Sequence, residues 1–300
     1  MYRPTDLDVE LDEEAFRLLR DLIHEKFGLF FDENQRHSLR ARLQNRLASR
    51  GLRSFEDYFH ELRFGPDRAE ELQSMVSHLT NNETYFYREL PQLKVFADHV
   101  LPQIKERKAR AGERTLRILS AGCSTGEEAY TLAMIVFDSG HFFWNWDVEV
   151  TGLDVDQAAL DKAKKGVYQH NSFRALPPEL KARHFTTVGT SAQVKEPIRR
   201  LVSFRRGNLV EPASFEGLAR LDAIFCRNVL IYFSDAMILR AVRIFRNILA
   251  PGGHREPERV QGVTHQAGLV QPVTERPRLA ELARSAAGRR KPSAESALCG

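Results

Sequence analysis

Four short apolar runs in this chain each end on residues able to hold a ligand. The first, Leu116-Arg-Ile-Leu-Ser-Ala-Gly-Cys-Ser-Thr-Gly-Glu-Glu128, has the pattern of a strand entering a glycine-containing turn and then a helix. Open α/β sheets bind ligands beyond the carboxyl ends of their strands, and glycine there lets backbone approach closely. Glu127 and Glu128 directly after Gly126 would repel a phosphate and suit a cationic or hydroxyl-bearing ligand, although acids also simply favour a helix N-terminus. The second run, Val148-Glu-Val-Thr-Gly-Leu-Asp154, places Asp154 where an acid accepts hydrogen bonds from both ribose hydroxyls. Helix capping is the ordinary role for such an Asp, and Asp156 fits it better. The third, Leu201-Val-Ser-Phe204, leads to Asn208, able to read an adenine edge, and Leu209, able to cover its face. The fourth, Leu221-Asp-Ala-Ile-Phe-Cys226, opens into Arg227, Asn228 and Tyr232. Singly, an Asn in a turn or a Tyr in a core is commonplace. Together the four predict one shared nucleoside site.

The elements that must position these residues fall into two parts. From Asp12 to about Leu90, apolar residues recur at threes and fours (Phe16, Leu19, Leu22, Ile23, Phe27, then Leu39, Leu43, Leu47) with Gly28, Gly51 and Gly65-Pro66 as punctuation. This predicts a bundle of about four helices over 1–90. A helix from Pro91 to about Lys108 and a charged connector make a linker, 91–114. Beyond it, β-rich runs alternate with helical stretches at Glu127 to Asp138, Gln157 to Lys165 and Ala236 to Leu249, which predicts a doubly wound α/β domain over 115–254. Within that domain, His184 to Arg206 carries two β-like runs without a helix between them, read as a small antiparallel insertion, 184–206.

Composition narrows the class. The 300 residues are 42% apolar and 9% aromatic, enough for one sizeable core and a smaller one. No run approaches the roughly 18–20 apolar residues of a membrane span, and the acidic start MYRPTDLDVELDEE is unlike a secretory signal. The expectation is a cytoplasmic protein that is not membrane-inserted. Cys123, Cys226 and Cys299 are far apart and lack ligand spacing, so neither a disulfide framework nor a metal is expected. The net charge of +4 is concentrated at one end: 255–300 holds eight Lys and Arg against five Glu, leaving 36 against 35 elsewhere. No nucleic acid is expected as a partner.

The blocks Leu79-Thr-Asn-Asn-Glu-Thr-Tyr-Phe-Tyr-Arg-Glu89, Ser120-Ala-Gly-Cys-Ser-Thr-Gly-Glu-Glu-Ala-Tyr130, Gly152-Leu-Asp-Val-Asp156 and Asp222-Ala-Ile-Phe-Cys-Arg-Asn-Val-Leu-Ile-Tyr-Phe233 resemble the hallmark segments of CheR-type chemoreceptor methyltransferases. The resemblance spans roughly residues 12 to 254. It implies an N-terminal all-α domain and a doubly wound S-adenosylmethionine-dependent methyltransferase domain with a small antiparallel β-subdomain. It further implies methyl transfer to glutamate carboxylates of methyl-accepting chemoreceptor cytoplasmic helices. Cofactor contacts are implied from Asn82, Thr84, Arg88, one of Glu127 or Glu128, Asp154, Asn208, Leu209, Arg227 and Asn228. Ala129 stands where many members have Pro. A glutamate is already ionised at neutral pH and needs no general base. Arg88 and Tyr232 are therefore expected to orient the acceptor rather than activate it, with an ion pair to Glu83 or Glu89 as the plainer role for Arg88. Two other classes fit less of the pattern: a methyltransferase acting on RNA or a small molecule, and a cofactor-binding module without catalysis.

Two stretches stand apart. Arg36 to Arg53 holds six arginines and no acid. On one helix Arg36, Arg40, Arg42, Arg46 and Arg50 share an arc of roughly 160° with Leu39, Leu43 and Leu47. That face is either solvated or grips an acidic helical partner. After Gly253 the family pattern breaks: 255–300 contains none of the aromatics, which predicts a disordered tail, apart from a helix at 278–287, and a sheet ending at Leu221 to Cys226. A one-base shift within codons for Arg255 to Val260 reads Glu-Ser-Leu-Asn-Gly, which suits the family pattern, so a frame slip near His254 is expected, and with it poor solubility or activity.

Overall fold

A computed structural model describes residues 9–218, 220–250 and 269–270. The first helix, α1 (Glu13–Phe27), starts where the Asp12 carboxylate accepts the Ala15 N–H at 2.8 Å and stops at Gly28. It packs with α2 (Arg36–Ser49), α3 (Phe55–Phe64) and α4 (Arg68–Leu79) around Phe16, Leu19, Leu43, Phe55 and Met75. The arginine face is largely spent inside this bundle. Arg40 donates to the Val9 carbonyl, Arg42 to that of Leu79, Arg46 pairs with buried Glu71, and Arg50 pairs with Glu61. Arg36, Arg50 and Arg53 lie exposed and the other three are half-buried, so the face is partly spent on partners within the bundle and partly open to solvent.

Helices α5 (Leu90–Val95) and α6 (Leu101–Arg110) are joined by one wider turn, Phe96–Val100. Pro102 has no N–H to offer the preceding turn, and the Leu101 N–H bonds back to the Phe96 carbonyl instead.

The second domain runs β1 (Thr115–Ala121), α7 (Glu127–Asp138), β2 (Asp147–Asp154), α8 (Gln157–Lys165), β3 (Val167–Tyr168), α9 (Pro178–His184), β4 (Phe185–Val188), β5 (Ser191–Val194), α10 (Glu196–Arg199), β6 (Val202–Arg206), β7 (Ala223–Phe225), α11 (Asp235–Ile248) and β8 (Leu269–Val270). The main sheet has the order β6-β2-β1-β7-β8, with the first four strands parallel. Alternate residues feed opposite faces: Ile118, Val150 and Phe225 join the core with Tyr130 and Leu132, while Leu119, Leu153 and Ile224 join the core with Ala241 and Phe245. The chain winds outward from β1 through β2 to β6, then returns to place β7 on β1's other side. That reversal opens a crevice at the strand ends between β1 and β7.

Two expectations are corrected. The antiparallel insertion is β3-β5-β4, turned at Gly189-Thr190, and the Leu201 to Phe204 run is not part of it. Helix α10 intervenes as a crossover, so β6 returns parallel to β2 with Val202 opposite Val150. The sheet also does not end at β7, because Leu269–Val270 pairs with it antiparallel. The remaining tail expectations, including the helix at 278–287 and the frame slip, lie outside the described residues.

Candidate functional site

The four strand ends converge on a crevice with two adjoining lobes, with cavity volumes of about 140 and 130 Å³. Gly122, Ser124, Asn228, Val229 and Tyr232 line both. The larger lobe adds Asp154, Asn82, Asn208 and Leu209, together with Phe30 and Phe31 from the loop after α1. The smaller adds Thr84, Arg88, Glu128 and Arg227.

Backbone geometry at the first strand end is set by close packing. A Cβ on Gly122 would lie 2.4 Å from Val229 Cγ2, and one on Gly126 would lie 2.8 Å from Ala163 Cβ, with φ at +93°. The turn therefore closes tightly enough for the Ser124 N–H to reach Asp154 Oδ2 at 2.7 Å, while the Asp156 N–H reaches Oδ1 at 2.9 Å. Burial pushes the Asp154 carboxyl above its ordinary range, and those two backbone donors pull it partly back. Each oxygen keeps a second lone pair for a ligand. Ser124, Tyr87, Glu89 and Asn228 all hold positive φ, between 49° and 58°, around the crevice. Such strain persists only where surroundings enforce it, and it clusters at functional sites.

The smaller lobe is built on an ion pair between buried Arg227 and half-buried Glu128, Nε to Oε2 at 3.3 Å. Glu128 also accepts from Ser120 Oγ at 2.7 Å. Burial raises its carboxyl, and the Arg227 charge lowers it in part. Arg227 gives Nη2 to the Arg88 carbonyl, pinning the strained 87–89 segment, but among the described residues neither its buried Nη1 nor its Nε, which only ion-pairs with Glu128, has a hydrogen-bond partner. Such an orphaned donor is costly unless a ligand satisfies it.

The predicted residues divide accordingly. Glu127 faces neither lobe: its oxygens accept from Thr125 at 2.7 Å and Ser172 at 2.9 Å, because neighbours on a helix point about 100° apart. Glu128 is thus the acid at the crevice. Asn208 sits in the wall but donates to the Lys26 carbonyl at 2.6 Å and accepts from Val210 N at 3.2 Å, leaving one N–H and one lone pair. Asn82 is bound at both ends, to Asp156 and to Ser124. Arg88 donates to the Glu83 carbonyl at 2.6 Å rather than to a carboxylate, and the Tyr232 hydroxyl accepts from Asn81 at 3.3 Å. Ser124, Phe30 and Phe31 are lining residues that strand-end reasoning passed over. The apolar run Leu29-Phe-Phe31 directly after a helix stop was the available signal, since an apolar loop needs something to cover it.

The pattern described as the CheR methyltransferase all-alpha domain matches residues 14–80, and that of the CheR methyltransferase SAM binding domain matches residues 82–255. This chain belongs to the CheR methyltransferase family. The chemotaxis protein methyltransferase 2 of Vibrio cholerae is 36% identical over 247 residues, covering 82% of this chain and 84% of the relative. The chemotaxis protein methyltransferase of Escherichia coli is 33% identical over 249 residues, covering 81% and 82%.

This CheR chain is a methyltransferase that uses S-adenosylmethionine, and the crevice fits that molecule. The orphaned Arg227 Nη1 beside Glu128 matches a carboxylate and an ammonium on one amino-acid group. Asp154 stands ready for a diol, and Leu209 and Phe30 give an apolar wall for a base. No helix among the described residues is long and apolar enough to cross a membrane.

Proposed function

We propose that this enzyme acts in the cytoplasm and esterifies glutamate side chains on the cytoplasmic helices of chemoreceptors. The observation that carries this reading is the lining of the smaller lobe, which offers Arg88 and Tyr232 but no His, Cys or Lys. For an acceptor that must lose a proton, such as an amine or an alcohol, the lobe offers only the Glu83 and Glu128 carboxylates, and these are already engaged, Glu83 by Arg174 and Glu128 by Arg227 and Ser120. A carboxylate with an ordinary pKa near 4.3 needs none. The names of the V. cholerae and E. coli relatives support the same reading.

When bound, S-adenosylmethionine supplies a methyl group activated on a sulfonium. The protein's part is to hold and align. Arg227 and Glu128 fix the amino-acid end, Asp154 fixes the ribose hydroxyls, and Thr84 and Asn228 close the walls. Arg88 and Tyr232 would orient the incoming carboxylate towards the methyl group. Pre-paid orientation and loss of water from the nucleophile are where the acceleration arises.

The test incubates the full chain with methyl-labelled S-adenosylmethionine and a receptor cytoplasmic fragment. Label on the receptor that mild base releases as methanol is expected, and replacing the acceptor Glu with Gln abolishes it. Base-stable label, label on RNA alone, or tight cofactor binding without transfer would overturn the reading.

A further inference from the structure

The second acid of the Asp154-Val-Asp156 turn has no place in the crevice, yet it is 2% exposed and the most heavily bonded carboxylate nearby. Its Oδ1 caps α8 by accepting from Ala158 N at 2.9 Å and Ala159 N at 3.3 Å. The same oxygen accepts from Ser77 Oγ at 2.6 Å, and Oδ2 accepts from Asn82 Nδ2 at 2.8 Å. Asn82 in turn accepts from Ser124 Oγ at 2.9 Å. With the Ser124 and Asp156 N–H groups on Asp154, these bonds close a ring, Asp154 to Ser124 to Asn82 to Asp156 and back.

One side of the ring is held from the helical domain. Ser77 and Gln73 lie one turn apart on the same face of α4. Ser77 reaches Asp156, and Gln73 donates to the Val155 carbonyl at 2.7 Å while accepting from Arg206 at 2.9 Å. Of the two backbone donors that orient Asp154, the Asp156 N–H therefore belongs to the turn that α4 grips, and Ser124 is tied to the same turn through Asn82. A capping residue alone would need none of these contacts.

We propose that Asp156 is a positioning residue that transmits the seating of α4 to the Asp154 carboxylate, making the helical domain part of the S-adenosylmethionine site. Ser77, which touches neither lobe, thereby sets cofactor affinity at a distance. The proposal rests on the cofactor and not on the acceptor, so its failure leaves the glutamate reading intact, and the reverse holds too.

Binding calorimetry with S-adenosylmethionine on the full chain tests it. Ser77→Ala is expected to weaken binding about threefold to tenfold, the net worth of one ordinary hydrogen bond and only part of that of the charged one it removes, because the effect reaches the cofactor through Asp154, and Gln73→Ala by a similar factor. In turnover, KM for the cofactor rises while kcat at saturation holds. In an Asp154→Asn background the Ser77→Ala penalty falls below about twofold, because the two act through one carboxylate. Asp156→Asn, which keeps an oxygen for the cap, retains the melting temperature but not the affinity. Affinities within twofold of wild type in both Ser77→Ala and Gln73→Ala, with only the melting temperature lowered, would reduce the contacts to domain packing and overturn the proposal. An undiminished Ser77→Ala penalty in the Asp154→Asn background would overturn it as well.

Discussion

Two arginines, one in each domain, are set against carboxylates and differ in how completely the protein satisfies them. In the helical domain Arg46 gives Nε to Glu71 at 3.0 Å and pairs Nη2 with the other oxygen, and the Tyr58 hydroxyl adds a bond to Glu71 at 2.7 Å. The hydrogen bonds to Glu71 hold the Arg46 guanidinium above its already high range. In the catalytic domain Arg227 meets Glu128 along one edge only and leaves Nη1 bare. The first arrangement fixes α2 against α4. The second is unfinished without a ligand, and that incompleteness is what marks a site.

The comparison can be broken most forcefully at Arg46. Arg46→Met strands the Glu71 charge in the bundle and is expected to cost about 3–5 kcal/mol of stability, read by chemical denaturation, with cofactor affinity in the folded fraction falling less than in Arg227→Met. Arg227→Met should reverse the pattern. Cofactor affinity drops by about 2–4 kcal/mol, as for a truncated buried partner, and the denaturation midpoint moves less than for Arg46→Met. Equal stability losses in the two variants would erase the distinction.

The same contrast shows which parts were legible in the sequence. Strand ends were readable because β runs ending in Gly, Asp and Arg-Asn follow a period that needs no tertiary information. The choice between Glu127 and Glu128 was not, since both sit after Gly126 and only the helix phase decides. Asn82 read as a ligand contact because its block is distinctive, and the sequence could not show that its amide also gives one N–H to Asp156 and accepts from Ser124, keeping one N–H and one lone pair for a ligand. The arginine run misled for a related reason. Spacing shows which face a residue occupies, but the acids that meet Arg46 and Arg50 come from α3 and α4. The β6 run was placed both in the main sheet and in the insertion because a run as short as Leu201-Val-Ser-Phe204 carries no partner information.

A pH series sharpens the comparison at smaller amplitude. Burial raises the Glu128 and Asp154 carboxyls above 4.5 and 3.8. The cofactor needs both ionised, so its affinity falls as pH drops through the raised values, earlier than free carboxylates would titrate. Ligand-free stability runs the other way: the proton is favoured in the folded state, so this contribution is full below the ordinary values and is lost as pH rises through the raised ones. Calorimetry at successively lower pH should show the decline setting in before free carboxylates titrate, and Glu128→Gln should flatten it. A decline as steep in Glu128→Gln as in wild type would remove Glu128 from the account. The smallest effect is expected at Tyr232, whose 37% exposure leaves it at the crevice mouth. Tyr232→Phe should lower kcat a few-fold, about 1 kcal/mol, with cofactor affinity unchanged.

The central claim is that Arg227 keeps a donor bare because the cofactor's carboxylate completes it. The direct measurement compares S-adenosylmethionine with its decarboxylated analogue by calorimetry, on the wild-type chain and on Arg227→Met. The wild type should prefer the carboxylated form by about tenfold to a hundredfold, the worth of a charge-assisted bond, and Arg227→Met should bind the two alike. Undiminished preference in Arg227→Met would contradict the claim and leave the bare donor without a role.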